Sequence, residues 1–151
     1  MAKVTITLIV QAESLYKLSA PEPPAINNKC RLKDNKKESP PDSPLGSFET
    51  DVYIDQDVKW EGATNDPNGV DKGYSVEIDN IVYVPTGNDK DFFNRNIVCG
   101  KNGNVLVKVK NDPNLVNQID TYTINFSIVH PQGSQGVPKY YKIDPIIRGN
   151  P

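Results

Sequence analysis

One stretch near the end of the chain limits the possible folds more than any other, because apolar and polar residues alternate from 120 to 129. The apolar side chains all fall on one face: Tyr122, Ile124, Phe126 and Ile128. Thr, Asn and Ser occupy the positions between them. A period of two is typical of a β-strand with one face in a core and the other in water. Such half-buried strands are common in antiparallel sheets, so an antiparallel sheet is predicted here.

Shorter alternating or apolar runs recur along the chain, and turn-forming residues separate them. They lie at 3–11, 48–55, 57–61, 74–84, 97–99, 105–109 and 140–147. The chain of 151 residues has the length of one domain. The pattern therefore predicts a single domain over 1–151: an all-β, immunoglobulin-like (or cupredoxin-like) antiparallel β-sandwich of about eight strands. Because Pro145 cannot donate to a ladder, the last strand is expected to be an edge strand or to bulge there.

Two aromatic residues favour an immunoglobulin-like sandwich. Asp120-x-Tyr122 resembles a tyrosine corner, in which a buried hydroxyl binds an upstream backbone group. Trp60 lies on an early short strand, where such sandwiches place a core Trp. The strand around Trp60 is also similar to one in cupredoxins, but a blue-copper site needs two His and a Cys. His130 is the one histidine, so copper is excluded by the number of ligands and no cofactor is expected.

The segment 12–46 interrupts this pattern directly after the first strand. It is rich in Pro and contains a charged run at 33–38. Proline removes backbone donors and disfavours helix in the residue before it. We therefore expect a long Pro-rich loop with at most one helical turn at 13–18. Loops of this length in compact domains are usually functional or disordered.

Charge and hydropathy exclude several functions. The net charge of -2 and the pI near 5.4 provide no electrostatic footprint for nucleic acid. No apolar run is long enough to span a membrane. The run 4–10 alternates with Thr and lacks a signal-peptide cleavage site, so a cytoplasmic location is expected. Cys30 and Cys99 are far apart in sequence, and two free thiols are favoured over a disulfide.

Candidate sites for chemistry are few. No nucleophile motif accompanies His130, so the chain is predicted not to be an enzyme. Asp66, Asn68 and Asp71 offer oxygen ligands around Gly69 and are weak calcium candidates. The same residue types dominate ordinary turns, which is the favoured interpretation.

Tyrosines provide the remaining candidates for binding. Tyr53, Tyr140 and Tyr141 are suited to line a carbohydrate or protein surface. Aromatic residues of β-domains more often pack in the core or across strands, so core packing is the alternative interpretation.

Several motifs occur in a characteristic order along the chain. An N-terminal strand and the Pro-containing segment are followed by Asp57-Val58-Lys59-Trp60 and Gly73-Tyr74-Ser75-Val76. The alternating strand 122–129 and the closing stretch 140–147, with Asp144-Pro145, come last. This layout resembles the bacterial inclusion-body protein family typified by the PixA and AidA proteins. Gln56, Glu61 and Ile143 depart from the residues usual in that family.

The resemblance implies a cytoplasmic β-sandwich with no established catalysis, and it supplies no site residues. Together with the absence of a catalytic motif, it leads to the expectation of a non-enzymatic protein. Such a protein would act by self-association, as a homo-oligomer, or by binding another protein, with no nucleic-acid or membrane partner. The alternative is a ligand- or carbohydrate-binding module that uses the segment 12–46 and surface tyrosines.

Overall fold

A computed structural model describes residues 3–40, 44–83, 91–130 and 137–151. The stretches 85–96 and 131–138, which lie between predicted strands, fall partly outside these ranges. Two short helices occur, α1 (Ala12–Tyr16) and α2 (Pro23–Asn28), with 3₁₀ turns at Leu45–Ser47 and Pro113–Leu115. The strands are β1 (Val4–Val10), β2 (Cys30–Lys33), β3 (Glu49–Tyr53), β4 (Asp57–Thr64), β5 (Ser75–Val82), β6 (Ile97–Cys99), β7 (Val105–Lys108), β8 (Ile119–Thr121), β9 (Thr123–Val129), β10 (Lys139–Ile143) and β11 (Ile146–Asn150).

The described strands form three sheets. Two have four strands, in the orders β2-β1-β4-β7 and β10-β9-β5-β6, and the third has the order β3-β11-β8. This architecture confirms the prediction of an all-β, sandwich-like fold. Two pairings, β1 with β4 and β3 with β11, are parallel, which departs from the purely antiparallel sheet that was expected. Strand direction depends on which strands become neighbours, and a local period of two carries no information on that choice.

The described strands number eleven instead of the expected eight or so, because two predicted strands pass from one sheet to another and because the Pro-rich segment contributes β2. Tyr122 separates β8 from β9, and Asp144-Pro145 separate β10 from β11. Pro145 accepts a hydrogen bond from the Tyr122 N–H at 3.0 Å, so the paired strands stay together across the break. The break at Pro145 was predicted, and β10 is an edge strand. β11, however, is the central strand of its sheet.

A continuous core is built from the inward face of each strand. Tyr122, Ile124, Phe126 and Ile128 are all buried, as their alternation predicted. Trp60 lies at the centre, with its ring edge-on to Phe93 (6.0 Å between centroids) and to Tyr122 (5.7 Å). The Trp60 Nε1–H donates to the Tyr122 hydroxyl at 3.1 Å. The hydroxyl of the expected tyrosine corner is therefore bonded to a core side chain, and burial raises the pKa of Tyr122.

Close packing between β4 and β5 depends on a glycine. A Cβ atom at Gly62 would lie 2.5 Å from the Val76 carbonyl oxygen and 2.7 Å from the Val76 Cγ1. Because the first of these neighbours is backbone, it cannot rotate away. Gly62 therefore allows the first four-stranded sheet to approach the second at this point.

The Pro-rich segment 12–46 is not the irregular loop that was expected. Its described residues form α1, α2, β2 and a 3₁₀ turn, and several of their apolar side chains enter the core. Leu15, Leu32 and Leu45 are almost fully buried. Asp34 organises the turn after β2, because its Oδ1 accepts hydrogen bonds from the backbone N–H groups of Lys36 (2.8 Å) and Lys37 (3.0 Å). The segment is thus held by the body of its own domain.

Candidate binding site

Among the described residues, the edge of the second four-stranded sheet is open along β6. The Tyr83 N–H donates to the Asn96 carbonyl, and the Gly100 N–H donates to the Asp79 carbonyl, both at 2.7 Å. In an antiparallel ladder, the residues facing the partner strand alternate with residues whose N–H and C=O point away. Ile97 and Cys99 therefore direct their backbone N–H and C=O groups away from β5. In the described part of the chain no other strand pairs with them.

Exposed side chains lie on this short strand and on both sides of it. Arg95, Ile97, Cys99 and Lys101 are all exposed, whereas Val98 between them is buried. Ile97 keeps 54% of its surface in contact with solvent, which is high for a large apolar residue. No ion pair of Arg95 or Lys101 is found among the described residues. The chain bends at Asn96, and Lys101 exchanges backbone hydrogen bonds with Asn104, so the open part of this edge is limited to Ile97–Cys99.

A groove of about 790 Å³ continues from this edge onto the outer face of the neighbouring sheet. Its lining includes Cys99 and Lys101 from the β6 side and Leu106, which is 61% exposed, from β7. Lys59, which forms a 3.3 Å ion pair with Glu61, and Asp57 line the opposite wall. The β6 edge and the exposed Leu106 therefore belong to one surface, which we call the β6 surface (Arg95, Ile97, Cys99, Lys101 and Leu106).

A second, smaller pocket of about 220 Å³ lies between β3 and the turn that follows β2. Residues 34–36 of the Pro-rich segment form one wall, and Lys3, Asp51 and Tyr53 form the rest together with Val4. The Nζ atoms of Lys3 and Lys36 lie 5.4 and 5.5 Å from the centroid of the Tyr53 ring. The structure thus brings Tyr53 and the Pro-rich segment together, as the ligand-binding alternative expects.

The charges of the Tyr53 pocket are already paired in part. Lys36 Nζ donates to Asp51 Oδ2 at 3.1 Å, and hydrogen bonding to Tyr53 and Asp51 raises the pKa of Lys36. Burial alone would raise the pKa of Asp51, but hydrogen bonds from Lys36 and Asn150 lower it. Thr50 Oγ1 donates to Asp34 Oδ2 at 2.9 Å, which engages a further carboxylate of this pocket. A ligand here would therefore compete with existing polar contacts.

The calcium candidates Asp66, Asn68 and Asp71 lie in a turn. Within it, the Asp71 carboxylate already accepts hydrogen bonds from backbone N–H groups. Asp71 is buried; its Oδ1 accepts from the Glu13 N–H and its Oδ2 from the Asp66 N–H, both at 2.9 Å. Asp66 and Asn68 are exposed. Asp71 thereby joins the 66–71 turn to the first turn of α1. No group of three or more His, Cys, Asp or Glu residues suited to a metal ion occurs among the described residues.

Of the other sequence candidates, Cys99 belongs to the β6 surface, whereas His130, Tyr140, Tyr141 and Cys30 lie outside both surfaces. The His130 ring packs on Tyr74, with 4.2 Å between centroids. Tyr141 is buried and stacks on Phe126 at 5.4 Å, which matches the core-packing alternative, whereas Tyr140 is 71% exposed on β10. Cys30 and Cys99 are free thiols, and burial raises the pKa of Cys30 to about 12.

The β6 surface was missed by the sequence analysis, which predicted only a short strand at 97–99. A short strand with one buried residue can lie anywhere in a sheet. Among the described strands, β6 is an edge strand because it pairs with β5 and with no other strand.

No protein-family model matches the chain, and no curated protein matches it in sequence. In the described ranges, no helix has the length and apolar character needed to cross a membrane.

Proposed function

We propose that this chain is a non-enzymatic protein that acts by association with another polypeptide, either a second copy or a different protein, across the β6 surface. The observation that carries the proposal is the open edge at Ile97 and Cys99. Strand addition to such an edge supplies main-chain hydrogen bonds, and neighbouring side chains supply specificity. The resemblance to the inclusion-body family and a cytoplasmic location are part of this proposal, and the two free thiols are consistent with a reducing compartment.

The experiment combines two measurements on the full chain. Light scattering across a range of concentrations reports self-association, and selection of displayed random heptapeptides on the immobilised protein reports binding of extended segments. We expect the wild-type chain to self-associate, to bind displayed peptides, or to do both. We expect Ile97→Lys to abolish whichever of these occurs, because a charged side chain in the centre of the edge opposes pairing.

Ile119→Lys is the matched control, because Ile119 has the same size, is 53% exposed and lies on a three-residue strand of another sheet. A monomeric chain that selects no peptides would contradict the proposal. So would an oligomer or a peptide complex that Ile97→Lys and Ile119→Lys affect equally.

A second candidate function is the binding of a small polar ligand, such as a saccharide, in the Tyr53 pocket. The observation that favours it is that Tyr53 and residues 34–36 line the same pocket. The aromatic ring therefore lies beside ammonium, carboxylate and amide groups. Nuclear magnetic resonance titration with a panel of monosaccharides tests this function. Shifts confined to the pocket and lost in Tyr53→Ala would support it. Equal shifts in wild type and Tyr53→Ala would count against it.

A further inference from the structure

The buried carboxylate of the Tyr53 pocket is already engaged by the protein. Asp34 Oδ1 accepts hydrogen bonds from the backbone N–H groups of Lys36 and Lys37, at 2.8 and 3.0 Å. Asp34 Oδ2 accepts from Thr50 Oγ1 at 2.9 Å. An ionised carboxylate only accepts hydrogen bonds, and three donors already approach this one. Asp34 therefore has little capacity left for a donor group of a ligand.

The other carboxylate and the amide of this pocket are engaged as well. Asp51 Oδ2 accepts from Lys36 Nζ at 3.1 Å. Asn35 Oδ1 accepts from the Thr5 N–H at 2.8 Å, and Asn35 Nδ2 donates to the Lys3 carbonyl at 3.2 Å. Each carboxylate or amide acceptor that lines the pocket thus already has a donor from the protein itself.

The Lys3 ammonium differs from these groups. Lys3 is exposed, and no ion pair of its ammonium is found among the described residues. Its Nζ lies as close to the Tyr53 ring as Lys36 Nζ does, so attraction to one ring holds two like charges near each other. The formal charges of the two lysines and two aspartates of the pocket cancel. The group left without an acidic partner is nevertheless a cation, and an ammonium donates hydrogen bonds but accepts none.

The size of the pocket restricts the ligand further. Its volume of about 220 Å³ is smaller than the roughly 300–1,000 Å³ of sites that enclose drug-sized molecules. The pocket is therefore suited to one small molecule, such as a single sugar ring.

From these contacts we infer that the Tyr53 pocket binds a monosaccharide that carries a carboxylate, a uronic acid, with this carboxylate at the Lys3 ammonium. The inference rests on the second candidate function and names its ligand class. A carboxylate supplies the acceptors that an ammonium needs, and hydrogen bonds between two ionised groups are stronger than neutral ones. A neutral sugar forms no ion pair with Lys3. An amino sugar adds a cation beside two lysines and finds both aspartates engaged.

The test compares three sugars with the same pyranose ring: glucuronate, glucose and glucosamine. Each is titrated into the isotope-labelled full chain, and nuclear magnetic resonance follows the backbone amides of residues 34–36 and of Tyr53. We expect glucuronate to bind about fivefold more tightly than glucose, because it gains one exposed ion pair, and glucosamine to bind more weakly than glucose. The preference for glucuronate is expected to shrink at high salt. Acetate, which has the charge without the ring, is expected to bind more weakly than glucuronate.

Replacement of Lys3 provides the decisive comparison. Lys3→Gln is expected to bind glucuronate and glucose equally, because it removes the charge and keeps most of the side chain. Lys3→Glu is expected to prefer glucosamine. Lys72→Gln is the matched control, because Lys72 is also exposed, has no ion pair among the described residues and lies outside the pocket. This control is expected to keep the wild-type preference.

The outcomes separate this inference from the second candidate function. Equal binding of glucuronate and glucose to the wild type would overturn the inferred ligand class but retain saccharide binding. A preference for glucuronate that Lys3→Gln and Lys72→Gln affect equally would also overturn it, because the carboxylate would then lie away from Lys3. Acetate that binds as tightly as glucuronate would show that the pocket takes the anion alone and would overturn the sugar as its ligand. If none of the sugars shifts these amides, the inference and the second candidate function fail together.

Discussion

The replacement Asp71→Ala tests whether the 66–71 turn is a structural joint or a metal site. Asp71 has 1% of its surface exposed, and each of its carboxylate oxygens accepts one backbone hydrogen bond at 2.9 Å. Hydrogen bonds to charged groups contribute about 1.5–3 kcal/mol each, and the two are not additive because they share one side chain. Removal of the carboxylate also leaves the Glu13 and Asp66 N–H groups without these acceptors.

We expect Asp71→Ala to lower the free energy of unfolding by about 3 kcal/mol. For a chain of this size that corresponds to a fall in Tm of about 6–12 °C. Urea unfolding followed by Trp60 fluorescence gives the first quantity, and calorimetry gives the second. Asp66→Ala is the control, because the exposed Asp66 carboxylate accepts from the Val70 N–H at 3.3 Å and its loss is expected to cost about 0.5 kcal/mol.

Calcium distinguishes the two interpretations of this turn. A structural joint predicts that the difference between Asp71→Ala and Asp66→Ala is the same with and without calcium. A metal site predicts that calcium raises the Tm of the wild type and that both variants lose this increase. Equal destabilisation by the two variants, or a calcium-dependent Tm lost in both, would refute the reasoning from the Asp71 contacts.

Three further predictions follow from packing, burial and charge. Gly62→Ala is expected to destabilise the fold by about 2 kcal/mol in thermal unfolding, because its Cβ would meet the Val76 carbonyl; an unchanged midpoint would contradict this close approach. Burial raises the pKa of Asp79 in the folded state, so its ionisation lowers stability as pH rises through that value. Asp79→Asn is therefore expected to stabilise the fold at neutral pH but not in acid, as measured by urea unfolding, and a gain of the same size at both pH values would argue against it. In the native protein, Ellman's reagent is expected to label the exposed Cys99 quickly and the buried Cys30 only on unfolding, whereas equal rates would place Cys30 at the surface.

The elements that the sequence predicted are those whose pattern is local. The alternation of 122–129 predicted the buried apolar face, since the period of two depends only on backbone geometry, but it did not predict that Ser127 on the polar face is buried as well. β2 was missed because its four residues follow a Pro-rich helix and precede a charged turn. Its position in the sheet comes from pairing with β1, which lies far earlier in the chain. The parallel pairs β1–β4 and β3–β11 have the same origin, because each depends on the arrangement of the whole domain.

The two surfaces differ in how much of them the sequence could predict. The Tyr53 pocket was partly foreseen, because an aromatic residue on a strand and a long polar segment were already candidates for binding. The position of the pocket still required the turn at Asp34, whose carboxylate is held by the N–H groups of Lys36 and Lys37. The β6 surface was not foreseen, because an edge is defined by the absence of a neighbouring strand rather than by residue type.

The edges at β2 and β6 differ in how much of their backbone is covered. At the β2 edge the Leu32 N–H donates to Ser39 Oγ at 3.0 Å, and the Ser39 N–H donates to the Leu32 carbonyl at 2.7 Å. Beside β6 the chain bends at Asn96, and the outward backbone groups of Lys101 pair with Asn104. Among the described residues, the outward groups of Ile97 and Cys99 have no such cover. Because charged side chains on an edge oppose pairing, a charge introduced at Ile97 is the sharpest test of strand addition at this edge.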